Sequence, residues 1–263
     1  MRATHSRATC GFWSLPGSQG LPDGLVRLRF YPVIPLRDRN PTRSTPIVTY
    51  LLIGINVAVF AFQMSLSPNG ETAFVSQYGM VPLTLAHRHF VTLLTSMFLH
   101  GGFLHLLFNM WSLAIFGDNV EDRLGKLRYL LFYLASGLFA ALAQFAVDRH
   151  GAVPMVGASG AIAGVLAAYV RLYPHARVVT LIPLLIFFFV REIPASLFIL
   201  FWFLLQLLSG VGSLGGASSG GVAVFAHIGG FVAGLWLIRG LLPKPNDTAG
   251  FRRPAQTQYY NQV

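Results

Sequence analysis

Six apolar stretches run along the chain, at about residues 47–66, 97–116, 128–147, 156–173, 193–209 and 222–242, with short polar connections between them. A helix crossing the ~30 Å hydrocarbon core of a bilayer needs about 20 residues at ~1.5 Å each. The pattern therefore predicts six spanning helices, the fourth and fifth short. A further apolar run, Val178–Val190, is only thirteen residues long before Arg191-Glu192 interrupts it. As a helix it would reach ~20 Å, too short to span. It is expected at the cytoplasmic interface or as a shallow re-entrant piece, with a seventh span as the alternative. Arg191 and Glu192 are expected to form a local ion pair.

Composition agrees with this pattern. The 263 residues are 54% hydrophobic and 11% charged, with mean hydropathy +0.59, whereas soluble domains carry about 25% charged residues. The expected class is an all-α polytopic membrane protein, a six-helix bundle with a short central fourth helix. The net charge of +10 would suggest nucleic acid in a soluble chain, but in a polytopic one Lys and Arg mark cytoplasmic loops. Of the 19 Lys and Arg, only Arg88 and Arg149 fall in the first, third or fifth connection. The positive-inside rule thus places both termini in the cytoplasm, with no nucleic-acid partner. A seventh span would break the alternation.

The ends differ in character. Residues 1–34 are rich in Arg, Pro, Gly and Ser without helical periodicity, as in a disordered cytoplasmic tail. The stretch from Pro35 to Thr42 looks like the start of a domain running to residue 242. Residues 1–32 read either as a dispensable extension or as an upstream start-codon assignment, and 243–263 as a second disordered tail. The single cysteine, Cys10, has no internal disulfide partner. No apolar h-region precedes residue 33, so a cleaved signal peptide is not expected.

Polar residues inside the apolar stretches carry the chemistry. Gly157-Ala158-Ser159-Gly160 heads the fourth span and Ala226-His227-Ile228-Gly229-Gly230 opens the sixth. Ser159 is a candidate nucleophile and His227 a candidate base. His105 and Asn109 lie in the second span. In the charge-derived topology all four enter from the outer face at similar depth, where polar groups are costly and face the bundle interior or a wet cavity. The fourth helix is short, so Ser159 is expected below the outer surface, with the preceding loop dipping into protein. Gly160 and Gly164 form one GxxxG pair and Gly230 and Gly234 another, on the His227 face. Such pairs let helix backbones approach closely and would bring Ser159 and His227 within the ~2.6–3.2 Å a nucleophile and base need. Taken singly, each residue has a plainer reading: Ser159 as a cap or back-bonding serine, His227 as a packed core histidine, and Asn109 as interhelical glue. His100 has no acidic companion or HExxH pattern, so no metal or cofactor is expected. It is expected to support the junction before the second span, and Glu121 and Arg123 to pin the cytoplasmic connection after it.

This motif set resembles the rhomboid intramembrane serine proteases. The resemblance rests on GASG in a short fourth helix, AHxGG with GxxxG in the sixth, His-x-x-x-Asn in the second and Glu121-Asp122-Arg123-Leu124-Gly125 after it. It covers about residues 35–242, and the lead and first span look like those of bacterial members. It implies a Ser159–His227 dyad and an oxyanion site from His105, Asn109 and the Ser159 backbone N–H, shaped by Gly157, Ala158, Gly160 and Gly230. No Asp or Glu lies in the outer half of a predicted span, which leaves no candidate for a third member. Two departures stand out. Some members carry an aromatic residue four after the serine, stacked on the histidine, where this chain has Ala163. His227 is then expected to be oriented by Met155, Phe225 or a residue of the second span. In the first loop His87-Arg88 stands where many members have Trp-Arg.

The resemblance implies an endopeptidase in the cell membrane. It would cut single-pass transmembrane substrates on the outer side, within the lipid bilayer, at small residues in a helix that unwinds easily. Cleavage should then fall as His227 becomes protonated. The alternative is a catalytically silent relative that binds or escorts membrane proteins. A small permease ranks last, because it would line both halves of the bundle with polar groups. Neither motif nor composition fixes an oligomeric state.

Overall fold

The computed structural model describes residues 34–85, 90–184, 187–214 and 223–243. The expectations for the two tails, for Cys10, for His87-Arg88 and for most of the fifth connection lie outside the described residues. Strand β1 (Ile34–Asp38) leads into helix α1 (Ile47–Ser65), then α2 (Pro68–Tyr78), α3 (Pro82–Leu85) and α4 (Thr92–Thr95), which runs on as a 3-10 turn, Ser96–Phe98. The longer elements follow: α5 (Phe103–Leu124), α6 (Lys126–Val147), α7 (Ser159–Leu172), strands β2 (Arg177–Leu184) and β3 (Phe187–Pro194), α8 (Ala195–Leu214) and α9 (Val224–Leu241).

Among the described residues, α1, α6 and α9 are long and apolar enough to cross a bilayer. A fourth is added if α4 with its 3-10 turn and α5, bent by 93°, count as one broken span. The expected second span, 97–116, is displaced by that bend. The chain leaves the helix at Leu99, turns through Gly101-Gly102 and restarts as α5, which then continues into the polar Asp118–Arg123. Gly125 ends α5 at φ +79°, a left-handed conformation suited to glycine, and its N–H donates to Glu121 O at 2.8 Å. The same residue opens α6, where Tyr129 N–H donates to Gly125 O at 2.9 Å.

The polar end of α5 is where the expected pinning role of Glu121 takes form. This buried carboxylate accepts from the Val48 and Thr49 N–H groups at 3.0 and 2.8 Å and from Thr49 Oγ1 at 2.8 Å. A helix start leaves its first N–H groups without intrahelical acceptors, and Pro46, the residue before α1, offers no side-chain cap. Glu121 supplies that cap from 73 residues away. Asp122 accepts from the Ser44 N–H at 2.9 Å and the Ser44 hydroxyl at 2.5 Å.

The fold departs from an all-α bundle. Residues 34–38, 177–184 and 187–194 form a three-stranded antiparallel sheet in the order β1-β2-β3. In the run 178–190, expected at the cytoplasmic interface or as a shallow re-entrant piece, residues 178–184 and 187–190 are strand, which gives its secondary structure and leaves its position open. Its Val, Thr, Ile and Phe residues suit a pleated surface, and periodicity alone does not separate a short apolar strand from a short buried helix. The expected Arg191–Glu192 pair is also corrected. Neighbours on a strand point to opposite faces, and Glu192 pairs instead with Arg39, just past β1.

In α7 every residue from Gly160 to Tyr169 is buried. α9 and α6 make its most extensive contacts, with α5 and α8 adding to them. Small residues on α6, α7 and α9 make this close packing sterically accessible.

Candidate active site

Ser159 is the first residue of α7, and His227 lies in the first turn of α9. Four glycines bring these helix ends together. A Cβ on Gly230 would collide with the carbonyl oxygen of Gly160 and lie 2.8 Å from its carbonyl carbon. One on Gly234 would lie 2.6 Å from Gly164 Cα, and one on Gly164 would lie 3.1 Å from Gly230 O. The α7 and α9 backbones are therefore in direct contact at both GxxxG pairs. His227, Gly230 and Gly234 follow at helical spacing on one face, so the same contact carries the imidazole to the start of α7. His227 Nε2 stands 2.7 Å from Ser159 Oγ, and His227 is 3% exposed. From the α6 side, Ala140 Cβ would meet a Cβ on Gly160 at 2.5 Å.

His105 approaches from α5. Its Nδ1 accepts from the Gly101 N–H at 3.4 Å, and its other edge faces Gly157. Gly157 has φ +125°, and a Cβ there would sit 2.7 Å from His105 Cε1 and 2.8 Å from Nε2. Both the backbone angle and the space demand glycine. Its N–H donates to Ser96 O at 2.9 Å, anchoring the loop before Ser159 to the 3-10 turn. Ala158 is fully buried behind the serine. A cavity opens beside Ser159, with His105, Met155, Gly157, Ala226 and His227 in its wall.

Asn109 stands one turn beyond His105 on the same face of α5. It is 4% exposed, its Nδ2 finds no acceptor among the described residues, and it does not line the cavity. His100 is fully buried. Gln63 Nε2 donates to its carbonyl and its N–H donates to Gln63 Oε1, both at 3.1 Å, which ties α1 to the turn before α5. Its ring lies edge-on to His105, with centroids 5.1 Å apart. Among the described residues no Asp or Glu lines the cavity, and no cluster of three His, Cys, Asp or Glu side chains stands close enough to hold a metal ion.

The ring beside His227 was not among the expected ones. Trp202, on α8, sits with its centroid 5.7 Å from the imidazole at an angle of 46°. Phe203, its neighbour, stacks on Phe231 of α9 at 4.1 Å, which docks α8 against the helix that carries His227. Trp202 lies in an uninterrupted apolar run and bears no polar signal. The hint available in the sequence was negative: Ala163 stands at the position where the resemblance led one to look for an aromatic ring.

At the start of α7 the first N–H groups lack intrahelical acceptors, and the helix macrodipole presents its positive end there. A hydroxyl, an imidazole and unspent helix N–H groups thus meet in one buried, small-walled cavity, an arrangement suited to nucleophilic attack on a carbonyl.

Comparison with known proteins identifies the family. The sequence matches the family model of the Rhomboid domain over residues 87–244, more than half of the chain. It is 34% identical over 127 residues to YdcA of Bacillus subtilis (strain 168), covering 48% of this chain and 62% of that protein. It is 36% identical over 124 residues to the rhomboid protease GluP of the same organism, covering 47% and 24%. It is 30% identical over 212 residues to RHOMBOID-like protein 1 of Arabidopsis thaliana, covering 74% and 49%. The matched stretches span less than two thirds of the length of each of these relatives. The chain belongs to the rhomboid family and is a multi-pass membrane protein.

Proposed function

We propose that this chain is an intramembrane serine endopeptidase that hydrolyses peptide bonds in or near transmembrane segments of single-pass proteins. The observation that carries the reading is the 2.7 Å contact between Ser159 Oγ and His227 Nε2 across two helices joined by their glycines. Neutral His227 accepts the Ser159 proton as Oγ attacks the substrate carbonyl. The tetrahedral oxyanion then takes hydrogen bonds from the Ser159 N–H, His105 and Asn109. The collapse of that intermediate expels the amine, which receives its proton from His227, and water repeats the sequence on the acyl-enzyme. The Asn109 Nδ2 donor, without an acceptor among the described residues, supports its oxyanion assignment, since such a buried donor is costly in a resting site. A substrate helix has to unwind first, because its carbonyls are internally bonded.

The membrane domain in this reading runs from 35 to 242, with six spans: α1, the bent α4–α5 unit, α6, α7, α8 and α9. Both termini face the cytoplasm, residues 1–34 and 243–263 are tails, and the cavity opens to the outer side of the cell membrane. The distribution of Lys and Arg supports that orientation.

Cleavage of a model single-pass substrate in proteoliposomes tests the activity. The wild type should cut, and Ser159→Ala and His227→Ala should each lose cleavage while keeping the thermal stability of the parent. Cleavage should also fall as acid protonates His227. A fluorophosphonate should label the wild type and not Ser159→Ala. Absence of both cleavage and labelling in the wild type would replace this reading with that of a silent protein that binds or escorts membrane proteins.

A further inference from the structure

The β2–β3 ribbon carries a feature that the site does not use. Its base is packed: Val178 and Thr180 are fully buried, and the Ala195 N–H donates to Ala176 O at 2.8 Å. Among the described residues, β1 pairs with the first half of β2, from Asp38–Val178 to Ile34–Leu181. Among the described residues, β2 and β3 continue beyond that register as a two-stranded ribbon whose outer edge is β3.

From Leu181 to Val190 the sequence holds no charged or hydrogen-bonding side chain. Adjacent strand residues point to opposite faces, and Phe188, Phe189 and Val190 are 68%, 42% and 55% exposed. Residues 188–190 are therefore apolar and exposed on both faces, unlike a strand with one face on a core and one in water. One apolar face would suffice for a protein groove, whereas two suit a medium that surrounds the ribbon.

Charge and tethering identify that medium. Arg177 and Arg191, both exposed, stand at the base of the ribbon, with exposed Arg37 on the neighbouring strand. Cations flanking an apolar tip complement anionic headgroups. The ribbon is held at the bundle end: only Tyr173–Ala176 separates it from α7, and β3 runs directly into α8. The outer edge of β3, unpaired among the described residues, sets its depth. Unpaired backbone groups are not tolerated in hydrocarbon, so the ribbon stays where water and headgroups reach its N–H and C=O groups.

We propose that Phe188, Phe189 and Val190 of this ribbon form a membrane-surface anchor, lying in the interfacial region of the leaflet at the Arg171–Arg177 end of the bundle. Phe188, Phe189 and Val190 touch the outer acyl segments, and Arg177 and Arg191 meet anionic headgroups. Under the topology proposed above this is the cytoplasmic leaflet. The anchor itself requires no catalytic activity.

The test uses the full chain with Cys10→Ser and one new cysteine, Phe188→Cys or Phe189→Cys, labelled with an environment-sensitive fluorophore. Val190→Cys serves as a third site if either variant melts below the parent. In nanodiscs of phosphatidylcholine and phosphatidylglycerol, both faces are open to added quencher. Labels on both faces should be quenched severalfold more by lipids with a doxyl group near the headgroup than by lipids with one near the chain end, and only weakly by iodide. Strong iodide quenching without doxyl quenching would place the ribbon in water and overturn the proposal. Protection from all quenchers would indicate a protein cover and overturn it as well, and stronger quenching by the deep doxyl group would overturn the interfacial depth.

Discussion

His227 is held by contacts on two sides: Ser159 Oγ at 2.7 Å from α7, and the indole of Trp202 at 5.7 Å from α8. The indole packs against the imidazole and limits its rotation. Trp202 touches no reacting atom, so it is a positioning residue. Trp202→Ala should lower kcat by roughly ten- to a hundredfold, the scale of an ångström-level misplacement, with KM changed little. Trp202→Phe should restore most of the rate, because a ring remains. Equal kcat in Trp202→Ala and the wild type would remove the indole from the argument.

Elements meet here through residues that have no side chain to spare. A Cβ at Gly230 or Gly234 falls inside the contact distance of the α7 backbone, and backbone has little freedom to give way. Gly234→Val should therefore force α7 and α9 apart, at about 1–3 kcal/mol as for other overpacked interiors. It should reduce fluorophosphonate labelling of Ser159 although the substitution lies two turns along α9 from His227. A separate element contact sits at the far end of the bundle. Asp38 of β1 accepts from Asn119 Nδ2 of α5 at 2.8 Å and from the Tyr169 hydroxyl of α7 at 2.7 Å. Burial raises its carboxyl from 3.8 to about 6, opposed by the Tyr169 hydrogen bond and assisted by the Asp118 charge. The folded chain thus binds this proton more tightly than the unfolded chain. The associated stability is fully present below about pH 4 and is lost as pH rises through about 6. In melting curves recorded across that window, Asp38→Asn should flatten this part of the pH dependence, and an unchanged slope would count against it.

At the scale of the whole molecule, the cavity lies at the ends of α5, α7 and α9 that the charge pattern places outside, and the sheet lies at the opposite ends. This sidedness is open to a direct check because the chain has one cysteine, Cys10. A membrane-impermeant maleimide should leave Cys10 unlabelled in intact cells and label it after permeabilisation. Labelling in intact cells would invert the proposed topology and with it the outward-facing cavity.

Much of this molecule was legible locally. The apolar stretches near 47–66, 128–147, 156–173 and 222–242 correspond closely to α1, α6, α7 and α9, because hydropathy and helix length are properties of short windows. The two GxxxG pairs were likewise readable, since a missing side chain is visible in the sequence wherever the partner helix lies. Other features depended on partners distant along the chain. Glu121 capping α1, Arg39 pairing with Glu192, β1 pairing with β2 and Trp202 against His227 each join residues that no local window contains. The ribbon shows the same limit: a short apolar run permits helix or strand, and the hydrogen-bond partner offered by residues 34–38 decides between them. The sequence alone determined which segments avoid water and where small residues permit close approach. The tertiary structure decided which polar groups meet, because hydrogen bonds and ring contacts are set by positions in space that burial preferences leave open.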